Sequence, residues 1–72
     1  MVTVYSKNNC MQCKMTKQFL DRESIPYQEI NIDIDPSYID HLKELGFSSL
    51  PVVETESSAF SGFRPDQLKA LK

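Results

Sequence analysis

The chain reads as one α/β domain with elements in the order βαβαββα, a four-stranded mixed sheet packed by three helices. Three observations predict it. At 72 residues the chain supports one hydrophobic core, because a domain near this size buries only about 60% of the surface its unfolded form exposes. Its apolar residues switch between strand-like and helix-like periods along the sequence. Near the C-terminal end, two short apolar runs flank a polar loop, which marks an antiparallel hairpin. No repeat, low-complexity block or linker divides residues 1–72, so a single domain is expected throughout.

The first strand is expected over Val2 to Ser6, a β-rich run, and Lys7-Asn8-Asn9 after it is polar turn chemistry. From Met11 the apolar residues Met15, Phe19 and Leu20 recur at helical spacing, with Lys14, Lys17, Gln18 and Asp21 on the other faces. That pattern predicts an amphipathic helix ending near Ser24. Tyr27 to Ile34 changes period, with Ile30, Ile32 and Ile34 alternating with Asn31 and Asp33 as in a half-buried strand. Asp35-Pro36 is a capping residue followed by a proline at the first helical position. Ile39, Leu42 and Leu45 then trace a helix to a stop at Gly46. Pro51-Val52-Val53 and Ala59-Phe60-Ser61, joined by the polar loop 54–58, form the hairpin. Pro65 opens a last helix carrying Leu68 and Leu71, with Asp66 in its first turn and Lys69 and Lys72 in its last. Phe63 and Leu68 have the spacing of a hydrophobic staple.

Composition excludes several function classes. Eight Lys and Arg against ten Asp and Glu leave a net charge of −2 and a pI near 5.2, so the basic footprint of a nucleic-acid binder is missing. No apolar run approaches the roughly 20 residues needed to span a bilayer, and Met1 leads directly into Val2 without a basic leader. Neither nucleic acid nor a membrane is an expected partner, and the expected location is the cytoplasm.

Chemistry concentrates at Cys10 and Cys13, the only cysteines. A C-x-x-C pair that opens a helix after a strand places its first sulfur beside unpaired backbone N–H groups and the positive end of the helix dipole. Such settings lower a cysteine pKa from about 8.5 to roughly 3.5–7.5. Cys10 is the expected nucleophile. Cys13, one helical turn further on, is placed to resolve a mixed disulfide. A purely structural disulfide is a poorer reading, since so short a loop removes little entropy from the unfolded chain. Metal transfer is a rival from another class, because small copper chaperones place two cysteines at this spacing. Those proteins carry methionine two residues before the first cysteine and run βαββαβ, whereas Asn8 holds that position here. Zinc lacks ligands, since the pair and a distant His41 supply only three. His41 itself is expected to be a solvated helix residue.

Cys10-Met11-Gln12-Cys13, Leu50-Pro51 before a strand, and Ser61-Gly62-Phe63-Arg64-Pro65 near the end resemble the NrdH-redoxins over essentially the whole chain. The resemblance implies a thioredoxin-like fold and a thiol–disulfide oxidoreductase that acts as a protein electron carrier. It implies that electrons come from NADPH through a flavoprotein thioredoxin reductase, that no cofactor is bound, and that they pass to the large subunit of a class Ib ribonucleotide reductase. The chain is expected to act as a monomer. It also implies a cis Leu50–Pro51 bond facing the cysteines, and a partner groove drawn from Met11, Gln12, Leu50, Pro51, Ser61, Gly62 and Phe63. Arg64 and Pro65 are expected to hold the last helix to the fold. Two departures stand out: Phe60 occupies a position where many NrdH-redoxins have tryptophan, and no acidic pair follows Gly62 to hold glutathione as in glutaredoxins. A glutathione-coupled glutaredoxin is the alternative within redox proteins.

Overall fold

In the computed structural model, residues 1–71 are described; Lys72, expected in the last helical turn, lies outside the described residues. The elements are β1 (Val2–Ser6), α1 (Met11–Arg22), β2 (Tyr27–Asn31), a 3-10 turn (Pro36–Tyr38) running into α2 (Ile39–Glu44), β3 (Val52–Glu54), β4 (Ala59–Ser61) and α3 (Pro65–Lys69). The strands lie in the order β2-β1-β3-β4. β1 is parallel to β2 and antiparallel to β3, and β3 is antiparallel to β4.

Strand alternation explains why helices cover both faces of this sheet. Val4 opposes Val53, and its neighbour Tyr5 opposes Val52. Val4 and Val53 join Phe19, Leu20, Phe60 and Leu68 in one core cluster, beneath α1 and α3. Tyr5 and Val52 join Leu42 in a second, beneath α2. Each fully buried aliphatic side chain contributes about 1.5–3 kcal/mol. The central strands β1 and β3 are thereby fixed, and the C-terminal end of β1 delivers the chain to the cysteines.

Helix ends follow local rules. Gly46 (φ +87°) ends α2, with its N–H donating to the Lys43 carbonyl at 3.0 Å and the Phe47 N–H to that of Leu42 at 3.0 Å. This is the Schellman pattern, completed by Phe47 packing near Leu42.

Several expectations are corrected. β2 stops at Asn31, short of the expected Ile34. The Asn31 side chain accepts the Asp33 N–H at 2.9 Å, and its carbonyl accepts those of Ile34 and Asp35 at 3.1 and 2.8 Å. Asparagine turn chemistry thus overrides the isoleucine alternation, and Ile34 is left 79% exposed. Asp35 makes no side-chain cap; its carboxylate accepts from the Ser37 hydroxyl at 2.6 Å, and the helix begins as a 3-10 turn. In α1 the buried face runs through Cys13, Thr16, Phe19 and Leu20, and Met15 is exposed. Thr16 tolerates burial because its hydroxyl donates to the Gln12 carbonyl at 2.9 Å. Leu45 caps α2 from the exposed side.

Candidate functional site

Cys10 is the N-cap of α1, with extended backbone (φ −117°, ψ 104°). Asn9 before it takes a left-handed conformation (φ +55°), which asparagine adopts more readily than most residues. The turn is tied down from across the sheet end. The Asn8 N–H donates to Asp33 Oδ2 at 2.8 Å, and Asn31 Nδ2 donates to Asn8 Oδ1 at 3.1 Å. The segment after β2 therefore braces the segment that presents Cys10.

Cys10 and Cys13 are joined as a disulfide with Cα atoms 5.2 Å apart. The pair is asymmetric: Cys10 is half-buried, whereas Cys13 is 1% exposed. Cys10 Sγ accepts a hydrogen bond from the Cys13 N–H at 3.2 Å. That donor is one of the N–H groups a helix start leaves without a backbone partner, and it is aimed at the more accessible sulfur.

The second wall comes from the C-terminal half. The Leu50–Pro51 peptide is cis, Pro51 is buried, and its carbonyl accepts the Gly62 N–H at 2.8 Å. Gly62 has φ +83°, and a Cβ there would stand 3.9 Å from Gln12 Oε1. Gln12, Pro51 and Gly62 are thus brought together, and Met11 lies beside them in sequence, 68% exposed. Ser61 is half-buried in β4 opposite Val52. The other expected groove residues sit differently. Leu50 lines an apolar cavity of about 180 Å³ with Leu42 and Phe47 on the α2 side. Phe63 packs against the cluster that contains Leu68, as its staple spacing predicts. Pro65 is the first residue of α3. Arg64 Nε pairs with Asp66 Oδ1 at 3.6 Å, both side chains well exposed, so its ion pair stays within the start of α3.

A polar group that the sequence did not signal stands on the first wall. Lys17 Nζ lies 2.7 Å from Glu29 Oε2, and the buried Ser6 hydroxyl donates to the same oxygen at 2.8 Å. The Lys17 hydrogen bond, helped by that of Ser6, holds the Glu29 carboxyl below its ordinary pKa against the opposing effect of burial. Lys17 and Glu29 line the same cleft as both cysteines. Nothing local announces this group, since Ser6, Lys17 and Glu29 lie on three separate elements.

His41 corrects another expectation. It is not simply solvated: its Nε2 lies 3.0 Å from Glu54 Oε1, and its ring centroid is 5.8 Å from that of Tyr5. Tyr5 also donates its hydroxyl to Glu54 at 2.8 Å. The His41 hydrogen bond, ahead of that from Tyr5, lowers the Glu54 pKa. Desolvation by burial, then Glu54, raise that of Tyr5. This cluster joins α2 to β3 and β1 on the face opposite α1.

The glutaredoxin family model matches residues 2–58. The chain belongs to the glutaredoxin family. Within it, the glutaredoxin-like protein NrdH of Lactococcus lactis subsp. cremoris is 54% identical over 71 residues, covering 99% of both chains. The NrdH of Salmonella typhimurium is 39% identical, over 97% of this chain and 86% of its own. Among solved structures, the NrdH-redoxin from Escherichia coli superposes with a TM-score of 0.94 at 37% identity, covering 99% of this chain and 93% of that one. A glutaredoxin from Archaeoglobus fulgidus gives 0.82 at 29% identity, over 97% of this chain and 83% of that one. The fold is thioredoxin-like, and this glutaredoxin is NrdH-like with a redox-active Cys10–Cys13 pair. Metal transfer, the rival reading of the two thiols, gives way to thiol redox chemistry.

Proposed function

We propose that the chain carries electrons from a flavoprotein thioredoxin reductase to the large subunit of a class Ib ribonucleotide reductase. The observation that carries the chemistry is the asymmetry of the pair, with Cys10 reachable and Cys13 buried at 1% exposure. In the reduced protein the Cys10 thiolate attacks one sulfur of a partner disulfide. That bond breaks, a mixed disulfide forms, and the partner's other sulfur leaves as a thiolate. The Cys13 thiolate then attacks Cys10 Sγ, forming the intramolecular disulfide and expelling the partner's second thiolate. Two electrons pass to the partner, whose thiolates take up protons.

The Cys13 N–H aimed at Cys10 Sγ would stabilise the thiolate that begins this sequence, a charge-assisted bond being stronger than a neutral one. Re-reduction runs the same exchange backwards with a reductase dithiol. NADPH is then the electron source and the redoxin needs no bound cofactor. A cytoplasmic setting suits a dithiol that must be regenerated. The NrdH-named relatives support the partner assignment. The Escherichia coli NrdH-redoxin is described as having a thioredoxin-like activity profile, which supports a flavoprotein reductase over glutathione. No acidic pair follows Gly62, which points the same way.

The test follows NADPH oxidation in two mixtures, each with this protein and a model disulfide. One contains thioredoxin reductase, the other glutathione and glutathione reductase. Turnover with thioredoxin reductase alone is expected, and would be followed by a ribonucleotide reductase assay. Turnover only with glutathione would overturn the assignment.

A further inference from the structure

Beside the redox pair, surface charge runs opposite to that of the chain as a whole. The cleft next to the disulfide, about 610 Å³, is lined by Lys7, Lys14 and Lys17 and by one acidic residue, Glu29, on a chain whose formal charge is −2. Glu29 is already engaged by Lys17 at 2.7 Å. Lys7 and Lys14 are exposed, and among the described residues neither has an ion-pair partner. The Asp33 carboxylate, which accepts the N–H of the cleft-lining Asn8 at 2.8 Å, adds a second negative charge at the edge of the cleft and leaves the three lysines in excess. Two cations without an ion-pair partner among the described residues therefore share a cleft with the half-buried Cys10. A local field of one sign at a cleft raises the encounter rate of oppositely charged ligands.

Resting on the reading of this chain as a disulfide reductant, we infer that the cleft docks an acidic peptide segment of the partner protein, with Asp or Glu side chains about two residues from the cysteine that Cys10 attacks. The spacing comes from the helix. Lys14 lies four residues beyond Cys10, which at about 1.5 Å per residue is about 6 Å along the α1 axis. An extended peptide covers that in about two residues at roughly 3.3 Å each. A wall that continues along α1 to Lys17 suits an extended chain better than a compact anion.

The experiment mixes reduced protein with three short peptides, each closed by a disulfide and flanked by Glu, Ser or Lys, and separately with oxidised glutathione as the compact anion. Single-turnover rates are read by acid quench and mass spectrometry. The Glu-flanked peptide is expected to react about tenfold faster than the Lys-flanked one at low ionic strength. That ratio should shrink towards unity as salt shortens the screening length. The double variant Lys7→Glu with Lys14→Glu should reverse the order. Its gain on the Lys-flanked peptide is a result that a misfolded chain cannot produce. Equal rates for the Glu and Lys peptides, an order unchanged in the double variant, or oxidised glutathione outpacing the Glu-flanked peptide would each overturn the docking. Absence of reaction with all four substrates would instead sink the redox reading beneath it.

Discussion

Alanine at Gly46 and at Gly62 should lower stability by the same amount, because both sites demand backbone geometry and neither lacks space. Their φ angles are +87° and +83°. A Cβ on Gly46 would meet nothing within 4 Å, and one on Gly62 would meet only Gln12 Oε1 at 3.9 Å, an ordinary contact. The left-handed conformation costs an L-residue about 1–2 kcal/mol. Alanine also restricts the unfolded chain, which offsets about 0.4–1 kcal/mol of that. The net loss is about 1 kcal/mol at each site, corresponding to about 4–8 °C in Tm for a domain of this size. Urea unfolding of the oxidised protein, with the slope m unchanged, gives the comparison directly. If Gly62→Ala unfolds like the parent, the positive φ is not required there. If it loses several kcal/mol more than Gly46→Ala, the space beside Gln12 is closed and the geometric argument fails. Function should separate the two, since only Gly62→Ala adds a methyl group next to the C-x-x-C motif, and only it should slow disulfide exchange with a protein partner.

Cys13→Ser should accumulate a covalent adduct with a disulfide substrate, visible as a mass shift removed by dithiothreitol, while Cys10→Ser should lose both adduct and turnover; turnover by Cys10→Ser would reverse the roles. Leu68→Ala deletes a side chain with 0% exposure and should cost about 2–5 kcal/mol in urea unfolding, whereas a loss under about 1 kcal/mol would mean that α3 is not seated on the core. Glu29 has its folded pKa below the ordinary 4.5, first through Lys17, so its contribution is present above the unfolded value and is lost as pH falls through the folded one. Because both side chains are about one-third exposed, that contribution is under about 1 kcal/mol; the acid limb of stability against pH should flatten in Glu29→Gln, and an unchanged limb would show the pair to be energetically silent.

Where a decision was local, the sequence carried it. The C-x-x-C pair after a short strand located the redox site, Gly46 marked a helix stop that the structure builds as a Schellman turn, and Phe63 with Leu68 announced the staple beneath α3. Misreadings arose where a polar side chain competed with an apolar period. Asn31 turned the chain and left Ile34 outside the sheet, and Thr16 took the buried position that periodicity gave to Met15. What remained invisible was non-local. His41 finds Glu54 across 13 residues, and Lys17 finds Glu29 across 12. No period or motif encodes such pairings, because they depend on how two elements meet after folding.

The tie among Asn8, Asn31 and Asp33 has a consequence for how substitutions should be read. Asp33 stands 25 residues from Asn8 along the chain, yet it holds the backbone two residues ahead of Cys10. A change at Asp33 removes little buried apolar surface, so a melting curve is a poor place to look for its effect. It would register as a displaced sulfur, in exchange rates with bulky partners more than with small disulfides. Tolerance in a stability screen and tolerance in electron delivery are therefore separate properties of this protein, and the turn after β2 is where they part.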